Sequence, residues 1–169
     1  QACFGATAGL ALAYGFLLTH PQQKALVIGS DIARYGLKTP GEPTQGGGAI
    51  AMLVAVDPQI LVLNNDNTAV MQDAFDFWRP IGQTQALIAG KYSTQLYLQL
   101  LAKVWQLYQQ QTGRGLTDFA AFLFHLPYTK LGLKGLSSLI QESNLLQAAK
   151  LLWQFETARD YNSKVGNLY

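Results

Sequence analysis

Polar and apolar positions fall into alternating blocks along the chain. Gly5 to Leu18 holds no charged residue and many small ones. This run predicts a helix buried on all sides, with Gly and Ala letting neighbouring backbones come close. Thr19-His20-Pro21 breaks it, and Lys24 to Gly29 predicts a short, fully buried strand. Helix followed by apolar strand is the rhythm of a layered α/β protein. Ser30-Asp31 falls at the strand's end, where such folds place ligand-facing residues. Gly36 to Gly48, with two prolines and Gly46-Gly47-Gly48, predicts a loop. Three consecutive glycines fit close backbone approach to a segment or ligand, and equally a merely flexible loop. Ala49 to Val56 and Ile60 to Leu63 predict two strands about a turn at Asp57-Pro58.

Asn64 to Asn67 is a polar turn, and Asp73 to Pro80 mixes acids with aromatics, a pattern better suited to wedging against a neighbour than to lining a pocket. Lys91 to Gln111 carries the clearest helical period. Leu96, Tyr97, Leu100, Leu101, Val104, Trp105 and Tyr108 make an apolar stripe; Gln95, Gln99, Lys103, Gln106 and Gln110 fill the other face. Thr112-Gly113 ends it. Asp118 to Phe124 predicts a buried strand that delivers His125 at its C-terminal end. Pro127 stops the ladder, and a helix starts near Lys130. Leu145 to Ala158 predicts one more amphipathic helix.

Composition changes this picture in one respect. The 169 residues suffice for one domain with a real core. Yet 13% are charged and 49% hydrophobic, against about 25% charged in ordinary soluble domains. The deficit is expected of surface that meets further chain or a partner subunit. Starting at Gln1 and ending at Tyr169 without a polar tail, the chain reads as a piece of something longer. A net charge of +2 with no basic block argues against non-specific nucleic-acid binding. One cysteine makes no internal disulfide. No apolar run reaches the ~18 residues of a membrane span.

Candidate chemistry starts at Cys3. A thiol at a helix start meets unpaired N–H groups and the positive end of the macrodipole, and both favour the thiolate. Taken alone, a lone Cys is more often a small core hydrophobe, and a lone His after an apolar strand is more often structural. Lys130 and Lys134 are one turn apart in the N-terminal half of their helix, where cations are mildly unfavourable. That placement fits an anionic partner, although solvated lysines are the ordinary case. No metal-ligand spacing and no dinucleotide fingerprint is present.

Three motifs stand together: Ala2-Cys3-Phe4-Gly5-Ala6-Thr7, Phe124-His125-Leu126-Pro127-Tyr128-Thr129-Lys130 and Val165-Gly166-Asn167-Leu168-Tyr169. With Gly29-Ser30-Asp31-Ile32-Ala33, Pro43-Thr44-Gln45-Gly46-Gly47-Gly48-Ala49, Phe75-Asp76-Phe77-Trp78-Arg79-Pro80 and Gly90-Lys91-Tyr92-Ser93, the whole chain resembles the bacterial branch of the hydroxymethylglutaryl-CoA synthases, in the thiolase-like superfamily. The resemblance implies an α/β, thiolase-like layered αβαβα fold of two similar halves, incomplete in this chain, normally in a cytoplasmic homodimer. Residues 1–112 would be the later part of the N-terminal half, with the Cys nucleophile. Residues 113–169 would open the C-terminal half, with the His and Asn motifs.

The reaction so implied joins acetyl-CoA to acetoacetyl-CoA, in the mevalonate route to isoprenoids. CoA thioesters are substrates, no cofactor and no metal is needed, and no membrane partner is expected. By the matched motifs Cys3 is the nucleophile, His125 a polar contact to the acetoacetyl group, and Asn167 an amide holding acyl oxygens. Thr44 matches a segment that contacts the acyl group; Ser93, Lys130 and Lys134 match positions that contact CoA. The family's general acid–base glutamate lies upstream of the Cys motif. None of Glu42, Glu142 and Glu156 stands in a matching context. Two rival readings share these features: a β-branching or type III ketoacyl-synthase-like enzyme using a carrier-protein substrate, and a non-catalytic interaction fragment.

Overall fold

The computed structural model describes residues 3–140, and the chain divides into two units. The first takes residues up to Arg34 together with Gly46–Asn65; the second takes Tyr35–Gln45 and continues from Asp66.

In the first unit the apolar run becomes helix α1 (Gly5–Thr19), laid on an antiparallel pair, β1 (Ala25–Ala33) and β2 (Gly46–Val54). The small residues of α1 are what allow this. A Cβ on Gly9 would lie 2.7 Å from Val27 Cγ1, so only glycine admits the valine there. Ala13 and Leu17 of α1 are buried, as is Val27 of β1. The expected helix is therefore present, but burial on all sides is not. Leu12 is 76% exposed, because α1 is packed on one face only.

The strands follow the same rule. Side chains alternate across a sheet, so one covering helix leaves the second face open. Val27 is covered, while Leu26, Ile28 and Ile32 are exposed. The fully buried strand expected over Lys24 to Gly29 is thus a half-covered one. It also runs on to Ala33, so Ser30 and Asp31 sit inside the ladder and not at its end. Gly46, Gly47 and Gly48 open β2 opposite Ala33, Ile32 and Asp31. Their close backbone approach is to β1, and the loop is correspondingly shorter. Ile60 to Leu63 forms no strand; no neighbouring strand pairs with it among the described residues, and Ile60 is 94% exposed.

The second unit begins with the loop Tyr35–Gln45, which holds a 3-10 turn at Glu42–Thr44. A short antiparallel pair, β3 (Phe77–Trp78) and β4 (Leu87–Ile88), leads directly into helix α2 (Gly90–Thr112). The Ala89 N–H donates to Asp76 O at 2.8 Å, and the Ser93 N–H to Ala89 O at 2.9 Å, so the pair fixes where α2 starts. Gly113 ends α2 at φ 71°, a left-handed turn that glycine makes without a Cβ penalty. Beyond it, Arg114 Nη1 donates to Asp66 Oδ2 at 2.6 Å and to the Tyr108 hydroxyl at 3.1 Å, anchoring the end of α2.

The apolar stripe of α2 enters the core as expected. Leu101 and Trp105 pack on Leu116 and on Leu136, Leu139 and Ile140 of helix α3 (Thr129–Ile140), with Phe122 and Phe124 beside them. The strand expected over Asp118 to Phe124 is absent: a 3-10 turn spans Leu116–Asp118, and the residues after it join no ladder. Burial alternates along the segment, where the sequence predicts complete burial. Phe122 and Phe124 face the core while Leu123 between them is 97% exposed. The segment has the period of a strand and packs its inner side on helices, without a neighbouring strand to bond among the described residues. The helix expected over Leu145 to Ala158 lies outside the described residues.

Candidate active site

Of the residues singled out from the sequence, Cys3 belongs to the first unit, Thr44, Ser93, His125, Lys130 and Lys134 to the second, and Asn167 lies outside the described residues.

Cys3 is exposed, in a turn just ahead of α1. Phe4 is the residue that starts the helix, and its carbonyl accepts the Ala8 N–H at 2.9 Å. Among the described residues no side chain caps this end, and the first turn holds no acid. Its first N–H groups and the positive end of the helix dipole are therefore left for an anion. The expected position, a thiol at a helix mouth, holds; the expected buried surroundings do not, because α1 is open on its outer faces.

Thr44 closes the 3-10 turn and is held there by its own hydroxyl, which donates to Gly41 O at 2.8 Å. The segments that carry the other residues of the second unit are joined through neighbouring side chains. Ser93 is in the first turn of α2, with Thr94 and Tyr97 following it. The Tyr97 hydroxyl donates to the His125 carbonyl at 3.3 Å. Burial, and then the neighbouring Tyr128, raise the Tyr97 pKa, so it is a neutral phenol and a steady donor. The Thr94 and Tyr128 hydroxyls lie 3.2 Å apart. Tyr128 in turn places its ring centroid 5.9 Å from Lys134 Nζ. The start of α2, the His125 to Tyr128 segment and the first turns of α3 thus form one polar cluster.

Close helix packing makes this cluster possible. A Cβ on Gly135 would lie 2.8 Å from Leu101 Cδ2 and 3.4 Å from Tyr97 Cε1. Glycine lets α3 lie against α2, which carries Lys130 and Lys134 toward Ser93's end of α2. Both lysines are exposed, free to meet an anion from solvent. His125 is also exposed as a residue, yet the protein around its ring removes enough water to lower the pKa below its ordinary value of about 6.5. At neutral pH the ring is uncharged, with one N–H to donate and one lone pair to accept. Such a ring suits contact with a carbonyl.

Sequence reasoning missed Thr94, Tyr97 and Tyr128. Tyr97 lies in the apolar stripe of α2, where the pattern predicts core; it is half-buried, and its hydroxyl is the polar tip of that stripe. The usable signal is spacing: Tyr97 follows Ser93 by one helical turn. Among the described residues no three His, Cys, Asp or Glu stand together as a metal site, and no helix is long and apolar enough to cross a membrane.

Residues 61–165 match the family described as hydroxymethylglutaryl-coenzyme A synthase C terminal. The chain belongs to the hydroxymethylglutaryl-CoA synthase family. All 169 residues align with the hydroxymethylglutaryl-CoA synthase of Enterococcus faecalis at 46% identity, and span 44% of that protein. The cytoplasmic synthase of Gallus gallus is 33% identical over 83% of this chain and 29% of that protein. The chain thus spans less than half the length of these relatives. Among solved structures, a hydroxymethylglutaryl-CoA synthase complexed with CoA superimposes at a TM-score of 0.85, with 47% identity over 99% of this chain and 43% of that one. The synthase of the curacin biosynthetic pathway, complexed with a holo donor carrier protein, gives 0.85 at 26% identity, over 99% and 43% of the two chains. The thiolase-like, partial α/β architecture expected from the sequence is the one found.

Proposed function

We propose that this chain carries the acyl-transfer and CoA-binding portion of a hydroxymethylglutaryl-CoA synthase that acts in the mevalonate route. The observation that carries the reading is 46% identity maintained over all 169 residues to a bacterial synthase. The proposed reaction has two halves. The Cys3 thiolate attacks the acetyl-CoA carbonyl; the Cys3 S–C bond forms, the CoA C–S bond breaks, and CoA leaves as its thiol. The acetyl methyl then loses a proton and attacks the ketone of acetoacetyl-CoA. Water cleaves the Cys3 thioester, releasing hydroxymethylglutaryl-CoA and restoring the thiol.

Each side chain has a task that fits its surroundings. The uncapped first turn of α1 stabilises negative charge at Cys3 and on the acyl oxygen. Neutral His125 donates its N–H to the acetoacetyl carbonyl as charge builds there. Thr44 contacts the acyl group, and Asn167, by its motif, holds acyl oxygens. Ser93, Lys130 and Lys134 bind CoA, with the lysines on its phosphates. The family's general base lies outside this sequence, so the chain is proposed to act within a larger protein, as a cytoplasmic homodimer, with residues 1–112 and 113–169 in successive halves of the fold.

A carrier-protein substrate is the competing reading. The relative solved with CoA shares 47% of residues with this chain, against 26% for the one solved with a carrier protein, which supports free CoA thioesters. Turnover of acetoacetyl-CoA against an acetoacetyl carrier protein tests this. Preference for the CoA thioester is expected; exclusive use of the carrier protein would overturn the assignment.

A further inference from the structure

We infer that Tyr128 is a positioning residue for CoA: its ring holds the Lys134 ammonium toward the nucleotide phosphates. This deepens the CoA assignment above and depends on it.

Two contacts on opposite ends of the Tyr128 side chain carry the inference. Its hydroxyl lies 3.2 Å from Thr94 Oγ1, and Thr94 is itself fixed, donating to Gly90 O at 3.0 Å. That bond ties the ring to the first turn of α2, beside Ser93. The ring face meets Lys134, whose Nζ is 5.9 Å from the centroid, near the outer reach of a cation–π contact. An exposed lysine has four rotatable bonds and loses much freedom when it grips a phosphate. A ring beneath the ammonium restricts those rotamers before the ligand arrives, and it leaves the remaining ammonium hydrogens free, as a carboxylate partner would not. No salt bridge engages Lys134 among the described residues. Lys130, one turn earlier on α3, makes no such ring contact there, so Tyr128 distinguishes the two lysines. Gly135, by admitting α3 against α2, sets the spacing at which Tyr128 reaches Thr94 and Lys134 together.

The test is a mutant cycle on the native protein, using Tyr128→Leu, Tyr128→Phe, Lys134→Ala and the double variant Tyr128→Leu/Lys134→Ala. CoA and pantetheine, which lacks the nucleotide phosphates, are titrated by calorimetry, and KM and kcat are measured for acetyl-CoA. Tyr128→Leu is expected to weaken CoA about two- to fivefold, the size of an exposed cation–π contact. Pantetheine binding and kcat should hold, and Tyr128→Phe, which keeps the ring but loses its tie to Thr94, should fall between the native protein and Tyr128→Leu in CoA affinity. In the Lys134→Ala background Tyr128→Leu should add nothing. An equal loss with and without Lys134, or an equal loss for pantetheine, would overturn the inference and leave Lys134 as a CoA contact. Unchanged CoA affinity in Lys134→Ala would remove both. A reading that needs no variant is the proton shift of the Lys134 ε-methylene group: ring-current displacement relative to Lys130 is expected, and its absence overturns the contact.

Discussion

His125 and Cys3 make the sharpest demands at the scale of single residues. The native His125 pKa lies below that of the unfolded chain because partial burial disfavours the imidazolium. Between the two values the unfolded chain binds more protons, so stability rises with pH there. The contribution is intact above about pH 6.5 and is lost as pH falls from there through the folded value. His125→Gln should remove that part of the slope, as read from urea midpoints at pH 5 to 8; an unchanged slope would contradict the assignment. The Cys and His motifs were legible in the sequence because each carries chemistry in a fixed local context. What was not legible is how the neighbours hold them. Tyr97 and Tyr128 look like core and turn residues until α3 is seen lying on α2, and that closeness depends on one missing Cβ at Gly135. An apolar pattern reports which face is buried, and it does not report where a hydroxyl at the edge of that face ends up.

At the scale of elements, the period of the sequence succeeded for helices and partly failed for strands. Helix α2 was bounded to within one residue at each end, since its stripe, its glutamine face and Gly113 all agree. The buried strand expected over Asp118 to Phe124 fails twice, since Leu123 between Phe122 and Phe124 is open to solvent and a strand also needs a bonded neighbour, which sequence does not show. This distinction sets two contrasting outcomes. Leu136 is 1% exposed at the centre of the α2–α3 core, so Leu136→Ala should cost about 2–5 kcal/mol in denaturant unfolding. Leu123 is 97% exposed, and Leu123→Ala should stay within about 0.5 kcal/mol. Similar losses at the two positions would contradict the packing. Gly135→Ala should force α3 away from Leu101, at roughly 1–3 kcal/mol, and should weaken CoA binding along with stability. Loss of stability with CoA affinity intact would detach the helix contact from the site.

The whole molecule is marked by apolar surface that these residues do not cover for themselves. Leu26, Ile28 and Ile32 are exposed on one strand, and Leu12 and Leu18 on the helix that packs against it. These are the rows that a layered αβαβα fold buries between sheets and helices. The low charge of the sequence agrees with this open apolar surface, while complete burial would need layers on the faces that the described residues leave bare. The same reasoning limits catalysis. On the proposed function the family's general base belongs to chain upstream of Cys3, so the 169 residues alone should yield no hydroxymethylglutaryl-CoA from acetyl-CoA and acetoacetyl-CoA in a chromatographic assay; sustained product from them would contradict that proposal.

The central claim is that Cys3 is the acyl acceptor, and intact mass of the native protein after mixing with acetyl-CoA tests it most directly. The account predicts a gain of one acetyl group that disappears in Cys3→Ala. A folded protein that gains nothing, or a Cys3→Ala variant that gains the same group, would contradict it.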